Sequence, residues 1–157
     1  MSQHRDHLGS LLIGALPALH RFALSLTRSP DLADDLVQSA CERALQNADK
    51  FVPGTRVEAW LFRILRNLWI DRVRHAQSRG PTPGETDALF SRLGLSDTAK
   101  AILRLSDDQR EVLILVCVEE MTYAEAAEVI GAPVGTVMSR LSRARARLAV
   151  LLGEGET

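Results

Sequence analysis

Apolar positions recur every three or four residues along most of the chain, a spacing that predicts helices. Leu32, Leu36, Val37, Ala40, Cys41, Ala44 and Leu45 trace one such stripe. Ser29 is placed to cap that helix, with Pro30 at its first position and Asp31, Asp34 and Asp35 near the positive end of its dipole. A turn is expected over residues 49–55, which include Phe51, Pro53 and Gly54, and a long helix over 57–75. That second helix is unusually apolar and carries both tryptophans, Trp60 and Trp69. Strand-length alternation bounded by hairpin signals is absent, and no internal repeat is visible. The expected fold class is all-α.

Residues 77–86 read QSRGPTPGET and break the pattern, as a linker composition does. A weak helical piece is expected near 89–93. Two small helical domains result: residues 1–80, a flexible linker over 81–97, and residues 98–157. The second domain has the sharper punctuation. Ser106 and Gln109 form an S-x-x-Q capping box ahead of Val112, Leu113, Val116 and Cys117. Thr122 and Glu125 form another ahead of Ala126, Ala127, Val129 and Ile130. Gly131 can end that helix in a left-handed conformation, and Pro133 can start the next, running to about Leu152.

Composition narrows the class. The chain has 157 residues, 46% of them hydrophobic and 25% charged, which suits globular domains. Two cysteines exclude a disulfide-dense scaffold. Cys41 and Cys117 lie inside apolar helical patterns and are expected as buried free thiols. The four histidines fall in no zinc spacing, so neither metal nor cofactor is expected. Residues 8–19 imitate a signal peptide, but Asp6 spoils the basic start, Pro17 interrupts the run, and the apolar pattern continues through Phe22, Ala23, Leu24 and Leu26. No run is expected to span a bilayer, and the expected location is cytoplasmic.

Two short helices joined by a tight glycine turn describe a helix-turn-helix, here over 122–130, 131–133 and the helix beyond. The second helix of such a unit lies in a DNA major groove. Residues 134–148 carry four arginines and no acid. Arg140, Arg143 and Arg147 are three and four apart and share a face, joined by Thr136, Ser139 and Ser142. Guanidinium groups pair with guanine edges or phosphates, and Gly135 lets the helix start approach a backbone closely. The alternative is a solvated arginine face.

A second basic helix lies in the N-terminal half. Residues 56–79 carry six basic and two acidic residues, and Arg63, Arg66, Asn67, Asp71 and Arg74 recur at helical spacing among aromatics. Cations beside aromatics suit single-stranded nucleic acid. Trp60, Leu61, Ile64, Leu65, Leu68 and Trp69 are read mostly as core. Asp31, Asp34 and Asp35 either complement the helix dipole or form a docking surface extended by Gln38 and Glu42. Net charge, only -1, hides these faces. It also argues that the chain binds DNA poorly alone.

Four stretches carry a family resemblance: ADDLVQ (33–38), AWLFRILRN (59–67), DDQREVLIL (107–115) and TYAEAAEVIGAPVGTVMSRLSRARARL (122–148). In this order, across a linker, they resemble an extracytoplasmic function (ECF) sigma factor of the sigma-70 family over about residues 11–152. RFALSLTRSPDLADDLVQ (21–38) and FVPGT (51–55) are similar to the general-stress branch. The resemblance implies a non-enzymatic factor that binds core RNA polymerase, recognises minus-thirty-five and minus-ten promoter elements and directs transcription initiation. It implies polymerase docking through Asp35, Gln38 and Glu42. It implies minus-ten contacts by Phe51, Arg63, Asn67, Asp71 and Arg74, and minus-thirty-five contacts by Thr136, Ser139, Arg140, Ser142, Arg143 and Arg147. An anti-sigma partner is implied as well. Ser39 stands where the family usually has an acid, and Met138 where many members have a basic residue. Two other readings stand beside this one: a helix-turn-helix regulator with an N-terminal sensor or dimerisation domain, and an interaction module that sequesters a regulator without touching DNA.

Overall fold

The computed structural model describes residues 2–76 and 91–153, and among them no strand occurs. The chain divides into two compact units, residues 1–78 and 79–157. The expected linker falls mostly on residues outside those described, as do residues 89 and 90 of the weak piece near 89–93. Residues 91–93 are helical.

The first unit is a three-helix bundle: α1 (Ser2–Thr27), α2 (Pro30–Gln46) and α3 (Val57–Ala76), with a short 3-10 turn at Ala48–Lys50. Ser29 Oγ accepts from Leu32 N at 3.3 Å and Pro30 opens α2, as its sequence predicts. Leu8, Leu12, Leu19 and Phe22 of α1 meet Leu36, Val37 and Ala40 of α2 and Leu61, Phe62 and Leu65 of α3 in the core. The Phe22 and Phe62 rings lie 4.9 Å apart, tilted by 36°, a favourable aromatic geometry. Buried Ala15, Ala23, Ala40 and Ala44 let the helices approach closely. His4 donates from Nε2 to Ala48 O at 2.6 Å, tying the first turn of α1 to the 3-10 turn.

Two expectations about α1 need correction. Pro17 does not interrupt it. Pro17 lies on the exposed side with Ile13 and Gly14, so the carbonyl four residues back, which proline leaves without its helical donor, is beside water. By length and composition, Gln3–Thr27 does suffice to cross a membrane, contrary to the sequence reading. Its apolar stripe is instead spent on α2 and α3, which makes it the core helix of this unit.

The second unit contains α4 (Asp97–Leu103), α5 (Asp107–Leu113), α6 (Tyr123–Ile130) and α7 (Val134–Leu151). Ser96 Oγ caps α4 through Ala99 N at 3.2 Å. Ser106 Oγ caps α5 through Gln109 N at 3.3 Å. A π-helical turn over Ile114–Val118 continues α5, closed by Glu119 N donating to Ile114 O at 2.9 Å. Val112, Leu113, Leu115, Val129, Ile130, Val137, Leu141 and Ala144 form the core. Arg110 is buried among them at 1% exposure, which the sequence did not signal. Its guanidinium donates to Leu105 O at 2.8 Å and to the Asp107 carboxylate, so the buried charge is paired and hydrogen-bonded.

Candidate nucleic-acid interface

The helix-turn-helix forms as expected. Thr122 Oγ1 accepts from Glu125 N at 3.1 Å, and Glu125 Oε1 accepts from Thr122 N at 2.9 Å, completing the capping box of α6. Gly131 takes φ 67° and ψ 39°, the left-handed conformation that ends a helix without strain only at glycine. Ala132 N donates back to Ala127 O at 3.1 Å. Pro133, in extended conformation, accepts from Thr136 N and Val137 N and so starts α7.

Val137, Leu141 and Ala144 turn one side of α7 into the core. The helical period then fixes the rest. Gly135, Ser139, Ser142 and Ala146 run along the outermost strip, and all four are exposed. Thr136, Arg140, Arg143 and Arg147 occupy one flank; Arg143 and Arg147 are exposed, whereas Thr136 and Arg140 are half-buried. Val134, Met138 and Arg145 occupy the other flank, all exposed. The structure thus brings the six residues expected at duplex DNA onto one side of one helix. Two of the four arginines have neighbours that the spacing did not reveal. Arg140 Nη1 is 3.8 Å from Asp108 Oδ1, and Arg145 Nη2 donates to Cys117 Sγ at 3.9 Å.

In the first unit, Arg63, Asn67, Asp71 and Arg74 are exposed along one side of α3, opposite Leu61, Phe62 and Leu65. The expected core assignment holds fully for Leu61 and Leu65, while Trp60, Ile64, Leu68 and Trp69 are half-buried. Phe51 is 3% exposed, with its ring centroid 5.2 Å from that of Trp60. It therefore faces the core. The exposed part of its turn is residues 52–55, Val52 among them at 62% exposure. Thr55 Oγ1 donates to Val52 O at 2.6 Å and Gly54 takes φ 89°, which together fix the turn.

Asp35, Gln38 and Glu42 are also brought together. With Leu36, Ser39, Leu68 and Arg72 they line a cleft of about 470 Å³ between α2 and α3. Gln38 Nε2 donates to Glu42 Oε1 at 3.4 Å. Asp34 is drawn away from this cleft, to 3.4 Å from His20 Nδ1 of α1.

The buried-thiol expectation fails for both cysteines. Cys117 is exposed, because the π turn rotates it out of the stripe that a regular helix would bury. Cys41 is half-buried; burial, and secondarily the Glu42 carboxylate, push its thiol pKa up.

Comparison with known proteins gives these surfaces a family. Residues 12–79 match Sigma-70 region 2, and residues 95–148 match Sigma-70, region 4. The chain is 40% identical to the ECF RNA polymerase sigma factor EcfG of Rhodopseudomonas palustris, over 94% of this chain and 86% of that one. It is 37% identical to the ECF RNA polymerase sigma factor SigM of Mycobacterium tuberculosis, over 86% of this chain and 71% of that one. Among solved structures, the sigma factor RpoE of Bartonella quintana, crystallised with the anti-sigma factor NepR, is 37% identical with a TM-score of 0.75. That match covers 97% of this chain and 99% of RpoE. The chain belongs to the sigma-70 family, within its extracytoplasmic function class: it is a non-enzymatic initiation factor that directs RNA polymerase to promoters.

Proposed function

We propose that the two units divide promoter recognition between duplex and melted DNA. The α7 face, with Thr136, Ser139, Arg140, Ser142, Arg143 and Arg147, reads the minus-thirty-five element as duplex in the major groove. The α3 face, with Arg63, Asn67, Asp71 and Arg74, holds the open strand of the minus-ten element, and exposed residues 52–55 receive a flipped base. Buried Phe51 supports that turn from beneath by packing on Trp60. Unstacking a base costs a few kcal/mol, which a pocket offsets. Asp35, Gln38 and Glu42 dock on core polymerase. The segment between the units acts as a linker.

The observation that carries this reading is the pair of exposed cationic faces, one on α3 and one on α7, in a chain of net charge -1. Such a chain needs polymerase to supply most phosphate contacts. The complex of the relative RpoE with NepR supports an anti-sigma partner for this chain too. The likeness to EcfG and the stretches at 21–38 and 51–55 support a role in a stress response, exerted in the cytoplasm where core polymerase works. Permanganate footprinting with Asn67→Ala tests the division of labour. The variant should lose thymine reactivity in the melted segment while retaining duplex binding; unchanged opening would refute it.

A further inference from the structure

Single exposed large apolar side chains are ordinary on protein surfaces. Val134 and Met138 differ. They are 41% and 52% exposed and one helical turn apart, on the N-terminal half of α7. Neither is needed by the core, which takes Val137 and Leu141 from the opposite side. Between this apolar pair and the flank of Arg143 lies a strip of small residues, Gly135, Ser139 and Ser142. A Cβ added at Gly135 would meet nothing within 4 Å, so packing within the chain does not require a glycine there.

The major groove presents hydrogen-bonding edges for every base pair but only one large apolar group, the C5-methyl of thymine. An apolar ridge beside an arginine flank matches that mixture. The arginines suit guanine edges and phosphates, while the ridge has no polar atom to offer except the weakly accepting Met138 sulfur. We infer that Met138, backed by Val134, is a specificity-determining residue that selects thymine by its methyl group in the upstream promoter element. This inference rests on the proposed duplex-reading role of α7 and adds to it the chemistry of one contact. Met is unbranched and adaptable, so its tip can follow a methyl on either strand.

The test uses core polymerase loaded with the full chain and a library of promoter fragments randomised over the upstream segment. The library is made in two forms, one with thymine and one with uracil throughout that segment. Uracil removes the methyl and leaves base pairing intact. The wild type should enrich thymine roughly two- to fourfold over uracil where Met138 contacts the groove, the effect expected for burying a methyl-sized group. Met138→Ala should erase that difference and keep the remaining motif. Met138 is exposed, so the variant should fold. Equal enrichment of thymine and uracil by the wild type, or a difference that persists in Met138→Ala, overturns the inference. Arg143→Ala separates the underlying reading: an unchanged upstream motif in that variant refutes duplex readout by α7, whereas a lost or relaxed motif alongside equal thymine and uracil enrichment refutes the methyl contact alone.

Discussion

Arg140 Nη1 stands 3.8 Å from Asp108 Oδ1, joining the arginine flank of α7 to the first turn of α5. The pair is partly exposed and so contributes little to stability. On the proposed reading of α7 its consequence lies in binding, because a carboxylate beside a guanidinium that meets DNA competes with phosphate. Asp108→Asn frees Arg140 and removes a repelling charge. Affinity for duplex DNA at low salt should rise about two- to tenfold, and the gain should shrink as salt screens it. Fluorescence anisotropy at several salt concentrations checks this. Weaker binding would show that Asp108 orients Arg140 rather than restraining it. Unfolding stability should fall by no more than about 1 kcal/mol, from the lost helix-dipole and ion-pair contributions.

The caps of α6 fix its two ends, and Gly131 leads directly into the turn from which α7 starts. Thr122→Ala removes the hydroxyl that accepts from Glu125 N, while the backbone N–H of residue 122 can still donate to Glu125 Oε1, and should destabilise the second unit by about 1 kcal/mol. Gly131→Ala should cost about 1–2 kcal/mol from its positive φ alone, since a Cβ there meets nothing within 4 Å. Urea unfolding of the full chain, monitored on Tyr123, which lies in the second unit, measures both changes.

Gly135 offers an opposite pair of signs. A glycine inside a helix costs about 0.5–1 kcal/mol relative to alanine, and nothing within the chain crowds this one. Gly135→Ala should therefore raise the unfolding free energy of the second unit while weakening promoter binding. Parallel unfolding and binding measurements decide it; improved stability with unchanged binding would remove Gly135 from the interface.

The thiols should react in a fixed order. Cys117 is exposed, whereas Cys41 is half-buried and its pKa is raised by burial and by Glu42. Thiolate is the reactive form, so at neutral pH Cys41 holds less of it and is also harder to reach. Mass spectrometry during iodoacetamide treatment should find Cys117 modified first, with Cys41 catching up as pH rises. Faster modification of Cys41 would contradict the placement of α2 against its neighbours.

The helices and caps were legible because their signals are local. Ser29 with Pro30, the Thr122–Glu125 box and Gly131 each act within one turn of chain, and each forms as its residues predict. The faces of α3 and α7 were legible for the same reason, since a regular period of 3.6 fixes which residues share a side. What escaped depends on contacts between elements or on departures from that period. The Arg140–Asp108 and His20–Asp34 approaches join different helices, so no spacing announces them. Phe51 belongs to the core through Trp60, nine residues on. Cys117 is turned outward by a π-helical turn that the apolar run ILVCV does not distinguish from a regular helix. The continuity of α1 through Pro17 depends on that residue facing water, which only the packed bundle decides.

Transcription with purified core polymerase tests the central claim most directly. Fragmented genomic DNA from the organism that carries the chain serves as template, and transcript 5′ ends are sequenced with core alone, with the wild type, and with Arg143→Ala. The wild type should create discrete start sites preceded by two shared motifs, and Arg143→Ala should weaken use of those whose upstream motif depends on that arginine by about 1–3 kcal/mol in promoter binding. Start sites no different from those of core alone would contradict the assignment of this chain as a promoter-directing sigma factor.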